Sequence, residues 1–147
     1  MLLYVDASIT NRAHEIIEVE DSAEGVIKYK NGVLTAFHAV NYYSYDAPVE
    51  IELHCENGIA KMKSDTATVK LNDGREFRAE NNPNEVLEYS SGAKGYWGVS
   101  HVKQINNFYD TLKNGNQPDI TGEEALKTQK MIVAIYKSGH ERKRINF

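Results

Sequence analysis

Residues 95–115 read GYWGVSHVKQINNFYDTLKNG and residues 121–139 read TGEEALKTQKMIVAIYKSG, and these two stretches decide the fold. Both carry apolar residues at the three- and four-residue spacing that is typical of an amphipathic helix. We expect the first helix to run from about Val99 to Asn114. Gly115 follows it directly, at the position where helices commonly end in a left-handed residue.

The second helix has a recognisable start. Thr121 and Glu124 form a capping-box pattern, in which a hydroxyl and a carboxylate satisfy free amide groups of the first turn. Gly139 is the residue at which we expect this helix to end. The last third of the chain is therefore predicted to be two helices.

The first eighty residues are predicted to be strands. Three dipeptides, Asn31-Gly32, Asn57-Gly58 and Asp73-Gly74, suit the tight turns of β-hairpins. With strands at Leu2–Ala7 and at the C-terminus (144–147), they indicate an α+β fold. We predict one domain, residues 1–147, with an open, mostly antiparallel sheet of about six or seven strands. The two C-terminal helices are expected to pack on one face of that sheet.

Residue alternation indicates which strand faces need cover. Val49–Cys55 alternates apolar and polar residues, as expected for a strand with one buried and one solvated face. By contrast, Val33–Tyr43 is apolar on both sides. Because two helices cover only one face, we expect another subunit or a further domain to cover the other face of this hairpin.

Composition excludes several classes of function. The net charge of −4 gives no basic surface for nucleic acid, and no segment is long and apolar enough to span a membrane. The single cysteine, Cys55, excludes an internal disulfide, fits a cytoplasmic protein and is expected in the core. No signal peptide is recognised.

Motifs for cofactors and metals were not found. No two glycines have the G-x-G spacing of a dinucleotide-binding turn, and the five histidines share no metal-ligand spacing. We therefore predict no cofactor-binding or metal-binding residue in this chain. The acidic residues at 15, 18, 20, 21 and 24 are interpreted as a solvated edge.

Aromatic residues provide the candidates for substrate binding. Such rings can stack on a sugar and hydrogen-bond its hydroxyl groups. The predicted substrate-binding residues are Tyr42, Tyr43, Tyr96, Trp97 and His101. The alternative is that Trp97 packs in the core and His101 bonds a backbone carbonyl. A further alternative is a small enzyme that pairs His101 with Glu88 or Asp110.

The order and spacing of several short motifs resemble the C-terminal domain of the Gfo/Idh/MocA oxidoreductases over nearly the whole chain. The motifs are Glu18-Val19-Glu20-Asp21-Ser22-Ala23 with Lys30-Asn31-Gly32, Gly98-x-x-His101-x-x-Gln104-Ile105-x-x-Phe108, Pro118-x-x-Thr121-Gly122-x-x-Ala125 and Ile135-Tyr136-x-Ser138. Ile51–Leu53 with Asn57-Gly58 resembles a further strand pair of the family, but Cys55 or Glu56 stands where the family has the first glycine of that pair.

This resemblance implies the substrate-binding and oligomerisation part of an NAD- or NADP-dependent enzyme that acts on a sugar or polyol. It implies a dimer or tetramer formed through the open sheet face, and a Rossmann domain that is missing here. The family's catalytic Lys-Pro is absent, because the prolines follow Ala47, Asn82 and Gln117. The family's D-x-x-x-H helix, which supplies a proton-transfer histidine, is also missing, because no histidine here follows an aspartate by four residues. The resemblance therefore assigns no catalytic residue to this chain, and the chain alone is not expected to catalyse. The alternative is a free-standing dimeric binding or scaffold protein.

Overall fold

The computed structural model describes residues 1–45, 47–82, 84 and 98–147. These residues form eight strands and two helices. The strands are β1 (Leu2–Thr10), β2 (Ser22–Tyr29), β3 (Leu34–Val40), β4 (Glu50–Cys55), β5 (Gly58–Lys63), β6 (Thr66–Leu71), β7 (Glu76–Glu80) and β8 (Ile145–Asn146). The helices are α1 (Gly98–Lys113) and α2 (Gly122–Glu141). Two C-terminal helices after a series of strands, and a short C-terminal strand, were predicted and are present. Neither described helix is long and apolar enough to cross a membrane.

The strands form two separate four-stranded sheets, with the orders β3-β2-β1-β8 and β4-β5-β6-β7. The prediction of one open sheet of six or seven strands is therefore wrong. The β2–β3, β4–β5 and β6–β7 hairpins were predicted from turn dipeptides, but no residue pattern specified which hairpins would share a sheet. The chain divides accordingly into two compact units, one of residues 1–45 and 119–147 and the other of residues 46–118.

The first unit has its core between α2 and the sheet. Val5, Ile27 and Ala134 are its buried apolar residues, and Phe37 and Met131 pack around them. Val5 pairs with Ile27 across β1 and β2, so both side chains lie on the face that α2 covers. Thr121 caps the helix start by accepting the Glu124 backbone N–H at 3.3 Å, whereas the Glu124 carboxylate bonds Lys127.

The C-terminal end of α2 is fastened to β1. The Ser138 side chain is fully buried; its Oγ accepts the Ala7 backbone N–H at 2.9 Å and donates to the Lys143 carbonyl at 2.8 Å. Gly139 does not end the helix as predicted, because α2 continues to Glu141 and is capped by Arg142 in the left-handed region. Gly139 is instead a contact point: a Cβ there would lie 2.5 Å from Ile9 Cγ1.

The second unit has a sheet with two unlike faces. Residues that pair directly across antiparallel strands share a face, and here every residue on one face is apolar or small. This apolar face consists of Ile51, Leu53, Cys55, Gly58, Ala60, Met62, Ala67, Val69, Leu71, Phe77 and Ala79.

The opposite face is dominated by charged residues in cross-strand ion pairs. Lys63 Nζ lies 2.8 Å from Glu50 Oε1, and Lys61 Nζ lies 2.7 Å from Glu52 Oε2. The predicted alternation is therefore correct, but the apolar face is not buried: Leu53 and Phe77 are both 55% exposed. Cys55, predicted in the core, is also exposed.

Helix α1 belongs to this second unit. Gly115 follows it with a φ of +70°, and its N–H bonds the Leu112 carbonyl, as predicted for the helix end. The apolar stripe of α1 is open, since Ile105 is 54% exposed and Phe108 is 45% exposed. Within the unit, α1 makes no extensive contact with β4–β7 among the described residues, so the prediction that both helices pack on a sheet holds for α2 alone.

Replacing Ser138 with alanine is expected to destabilise the first unit by about 1–3 kcal/mol, because the Ala7 N–H and the Lys143 carbonyl both lose a buried partner. Urea denaturation followed by circular dichroism measures the change. The control is Ser100→Ala on exposed α1, which should change the free energy of unfolding by at most about 0.5 kcal/mol. Equal effects of the two substitutions would contradict the assigned role of Ser138.

Candidate functional site

The connection between β1 and β2 is organised around the carboxylate of Asp21. Asp21 Oδ1 accepts the Arg12 backbone N–H at 2.9 Å, and Oδ2 accepts those of Ala13 at 2.7 Å and His14 at 3.0 Å. Successive backbone N–H groups that converge in this way form an anion-binding concavity, and here the anion is the protein's own side chain. Asn11 Nδ2 donates to the Ile17 carbonyl at 3.1 Å and to the Val19 carbonyl at 3.2 Å, within the same loop.

Asp21 is only 3% exposed, and burial by itself would raise the pKa of its carboxyl group. The backbone donors from Ala13, Arg12 and His14 outweigh that effect and lower the pKa to about 2. Asp21 is therefore ionised at every physiological pH. The interpretation of the acidic run as a solvated edge is wrong at this residue, since a buried carboxylate holds the loop closed.

A cluster of polar side chains, Arg12, Glu24 and Tyr42, lies beside this loop. Arg12 Nη2 donates to Glu24 Oε1 at 2.5 Å, and the Tyr42 side chain lies near enough to interact with the guanidinium group. The interaction with Tyr42 and the charge of Glu24 raise the pKa of Arg12. Glu24 Oε2 is buried and has no hydrogen-bond partner among the described atoms. This cluster therefore combines a cation, a phenol and a carboxylate whose second oxygen is shielded from solvent.

A groove of about 610 Å³ opens next to Glu24, along the outer part of β1. It exists because β8 is only two residues long and pairs with Tyr4 and Val5, so the edge of β1 extends beyond it from Asp6 to Thr10. Neither Arg12 nor Glu24 was selected from the sequence. The sequence shows that both residues are charged, but it does not show that they are neighbours. That follows only from the pairing of β1 with β2.

The predicted substrate-binding residues are spread over the two units. Tyr42 and Tyr43 follow β3 in the first unit, where Tyr42 is half-buried and Tyr43 stacks obliquely on Tyr45 at 5.5 Å between ring centroids. His101 lies exposed on α1 in the second unit. Tyr96 and Trp97 lie outside the described residues. The structure thus places Tyr42 in a polar cluster but does not test a shared site.

The alternative of a catalytic pair on α1 is not supported by the helix geometry. His101 and Asp110 are nine residues apart in one helix, about 13 Å along its axis at ~1.5 Å per residue. Glu88, the other candidate partner of His101, lies outside the described residues.

The described residues do not fit a dinucleotide. Neighbouring strands in both sheets are antiparallel, whereas a dinucleotide site of the Rossmann type needs parallel strands joined through a helix whose N-terminus meets the pyrophosphate. In residues 1–45, 47–82, 84 and 98–147, no three His, Cys, Asp or Glu side chains are grouped so that they can hold a metal ion.

Comparison with protein families gives one match. The family described as "Oxidoreductase family, C-terminal alpha/beta domain" matches residues 4–147. No curated protein sequence matches this chain.

Solved structures with the same fold cover 99% of the chain. An oxidoreductase from Agrobacterium radiobacter, in complex with NAD+, L-tartaric acid and magnesium, has a TM-score of 0.79 and 19% identity. The aldose-aldose oxidoreductase from Caulobacter crescentus, complexed with glycerol, has a TM-score of 0.70 and 19% identity. The WlbA dehydrogenase from Bordetella pertussis, in complex with NADH and UDP-GlcNAcA, has a TM-score of 0.67 and 21% identity. The present chain spans 43%, 41% and 40% of these proteins, respectively.

The Asp21 carboxylate predicts a specific acid dependence of stability. Its pKa falls from 3.8 to about 2 on folding, so its contribution is complete above pH 3.8 and is lost as the pH falls toward 2. We expect Asp21→Asn to lower the melting temperature at neutral pH by several degrees and to remove this part of the acid dependence. Thermal melts across that pH range measure both effects. The matched control is Asp65→Asn in the exposed β5–β6 turn; an identical acid profile for wild type and Asp21→Asn would contradict the assignment.

Proposed function

Since this chain belongs to the Gfo/Idh/MocA oxidoreductase family through its C-terminal domain, we propose that it is the substrate-binding and oligomerisation part of an NAD- or NADP-dependent oxidoreductase that acts on a sugar or polyol. The observation that carries the proposal is the family match over residues 4–147, which leaves almost no part of the chain outside that domain.

The cofactor belongs to another part of the intact enzyme in this proposal. Solved relatives of the same fold bind NAD+ or NADH, and the present chain spans only about two fifths of their length. The antiparallel hairpins described above do not offer a dinucleotide site. We therefore assign NAD or NADP to a preceding Rossmann domain, which would also supply the proton-transfer groups. Hydride transfer is the chemistry that such a cofactor supplies.

The residues of this chain would bind and orient the substrate. Two of the solved relatives are an aldose-aldose oxidoreductase and a dehydrogenase bound to UDP-GlcNAcA. A sugar-like substrate suits aromatic rings and hydrogen-bonding side chains. We propose Tyr42, Tyr43, Tyr96, Trp97 and His101 as substrate-binding residues. The position of Tyr42 beside Arg12 supports this for one of them, because it places a donor and an acceptor within reach of one ligand.

Self-association is the second part of the proposal. The apolar face of the β4–β7 sheet is exposed, and large exposed apolar patches on a folded protein mark interaction sites. Its opposite face is covered with ion pairs and is suited to water. We propose that a second copy of the chain covers the apolar face, in a dimer or tetramer. The single cysteine is compatible with a cytoplasmic enzyme, which is the location we propose.

The isolated chain is expected to reduce no NAD+ or NADP+ in the presence of aldoses or polyols. The test is to express the chain in frame with the coding sequence that precedes its Met1 codon and to follow NAD(P)H absorbance. An upstream Rossmann domain and substrate-dependent NAD(P)H formation would support the proposal. Turnover by the chain alone would overturn it, and an upstream sequence without such a domain would favour a free-standing binding or scaffold protein.

Leu53→Asp is expected to shift the wild-type oligomer toward monomer, because a charge on the apolar face cannot be covered by a second apolar face without a large desolvation cost. Light scattering over a dilution series measures the mass. Thr68→Asp places the same charge on the ion-paired face and is the control. A monomeric wild type, or equal masses for wild type and Leu53→Asp, would contradict the proposal that the chain oligomerises through this face.

A further inference from the structure

The connection between β1 and β2 leaves two apolar side chains open to solvent. Ile16 is 96% exposed and Val19 is 63% exposed. The connection is nevertheless held in one shape, because Asp21 accepts three backbone N–H groups and Asn11 bonds two carbonyls. Binding a partner therefore costs it little conformational entropy. Residues 15–19, called the 15–19 loop below, have the properties of a preformed contact surface.

The 15–19 loop is acidic around its apolar tip. Glu15 and Glu18 are exposed and lie on either side of Ile16 in the sequence. Two arginines lie nearby. Arg12 is paired with a carboxylate of β2, and Arg142 lines a depression that includes Glu18 but neither Glu15 nor Ile16. With one unpaired arginine against two glutamates, the loop carries a net negative charge around Ile16.

A second feature of the same unit is a groove of about 630 Å³ at the opposite end of β1. It forms where β1 begins, β2 ends and the first half of α2 passes beside them. Its volume is within the range of cavities that hold small molecules, so apolar side chains of a partner can enter it. Its lining is mostly apolar and includes Met1, Leu2, Tyr29, Met131 and Phe147.

Lysines give this groove a positive rim, and we call it the lysine-rimmed groove. Lys30, Lys127 and Lys130 all line it, and all three are exposed. Lys127 is paired with Glu124, whereas Lys30 and Lys130 have no ion pair among the described residues. The amino and carboxyl termini of the chain, whose residues also line the groove, add one charge of each sign. The groove therefore combines an apolar interior with a net positive rim.

The chain's own 15–19 loop is out of reach of this groove. The groove lies at Leu2 and the loop follows Thr10, so β1 separates them by about 27 Å at ~3.4 Å per residue. The loop cannot cross that distance, because the Asp21 carboxylate fixes it at the end of β1. A loop that enters the groove must therefore belong to another molecule.

A second copy of the chain presents the chemistry that the groove requires. Its 15–19 loop carries apolar side chains for the apolar interior and carboxylates for the lysines. Complementary charge of this kind gives specificity and register at an interface. We propose that the 15–19 loop of one copy inserts Ile16 into the lysine-rimmed groove of a second copy, with Glu15 and Glu18 beside Lys30 and Lys130.

This contact is heterologous, since it joins different surfaces of the two copies. After the first contact one loop and one groove stay unused, so further copies can add until a ring closes. The contact does not involve the apolar face of the β4–β7 sheet. It is therefore an additional interaction surface, independent of the sugar-directed function and of the association through that face.

Charge reversal provides the test. Two variants of the 147-residue chain are made, Glu15→Lys/Glu18→Lys in the loop and Lys30→Glu/Lys130→Glu in the groove. Each variant alone brings like charges together and is expected to weaken self-association through this contact at least about tenfold. Light scattering over a dilution series measures the mass.

Mixing the two variants in equal amounts is the decisive measurement. The mixture pairs a basic loop with an acidic groove and an acidic loop with a basic groove. It is therefore expected to associate as the wild type does, although neither variant does so alone. Repeating the series with Leu53→Asp in every sample separates this contact from association through the β4–β7 face.

Ile16→Ser tests the apolar part of the contact. It leaves the charges unchanged and is expected to weaken association at least about tenfold, because the loop then has little apolar surface to bury. The matched control for the loop variant is Glu56→Lys/Asp65→Lys. It makes the same change in net charge at two exposed turns of the second sheet and should associate as the wild type does.

A wild-type chain that stays monomeric would overturn the proposal, as would charge variants whose masses equal that of the wild type. A mixture that stays as dissociated as its two components would also overturn it. The longer enzyme decides between a second copy and a preceding domain as the occupant of the groove. If the mixing pattern is present in the 147-residue chain and absent from the longer enzyme, the preceding domain covers the groove and the proposal is wrong.

Discussion

The attachment of α2 to β1 is the interaction on which the first unit depends. It joins residues more than a hundred positions apart in the chain, so its loop-closure entropy has to be offset by well-formed contacts. Three features provide them at one place: the apolar contacts around Val5 and Ala134, the buried Ser138 hydroxyl, and the close approach that Gly139 allows. The core, the end of α2 and the groove beside β1 are all positioned by this attachment.

Local patterns were sufficient to predict most of the helices and strands. Asn31-Gly32 and Asp73-Gly74 located two hairpins, and Thr121 located the start of α2, because turns and caps depend on neighbouring residues only. Longer-range arrangement was not accessible in the same way. The single predicted sheet became two, and Gly139 was taken for a helix end although its role is a contact with Ile9, which no local pattern encodes.

The candidate site shows the same division. Tyr42 was selected because tyrosine is chemically suited to sugars, and it does lie in a polar cluster. Arg12 and Glu24 were overlooked because each is an ordinary charged residue until β1 and β2 are paired. Asp21 was grouped with solvated acidic residues because its neighbours in sequence are acidic. Only the fold of the loop shows that three backbone N–H groups surround its carboxylate.

The two unlike faces of the β4–β7 sheet also have a consequence for how the chain folds. A slip of one residue between β4 and β5 would exchange the faces of a whole strand, so that Glu52 would lie opposite Ala60 and Ile51 opposite Lys61. Such a misaligned hairpin would place charges beside apolar groups and break the ladder of ion pairs. Gly58 begins β5, and a Cβ there would lie 2.2 Å from the Lys70 carbonyl oxygen, so the backbone favours the same alignment. Fidelity of strand pairing is thus encoded within this sheet, before anything covers its apolar face.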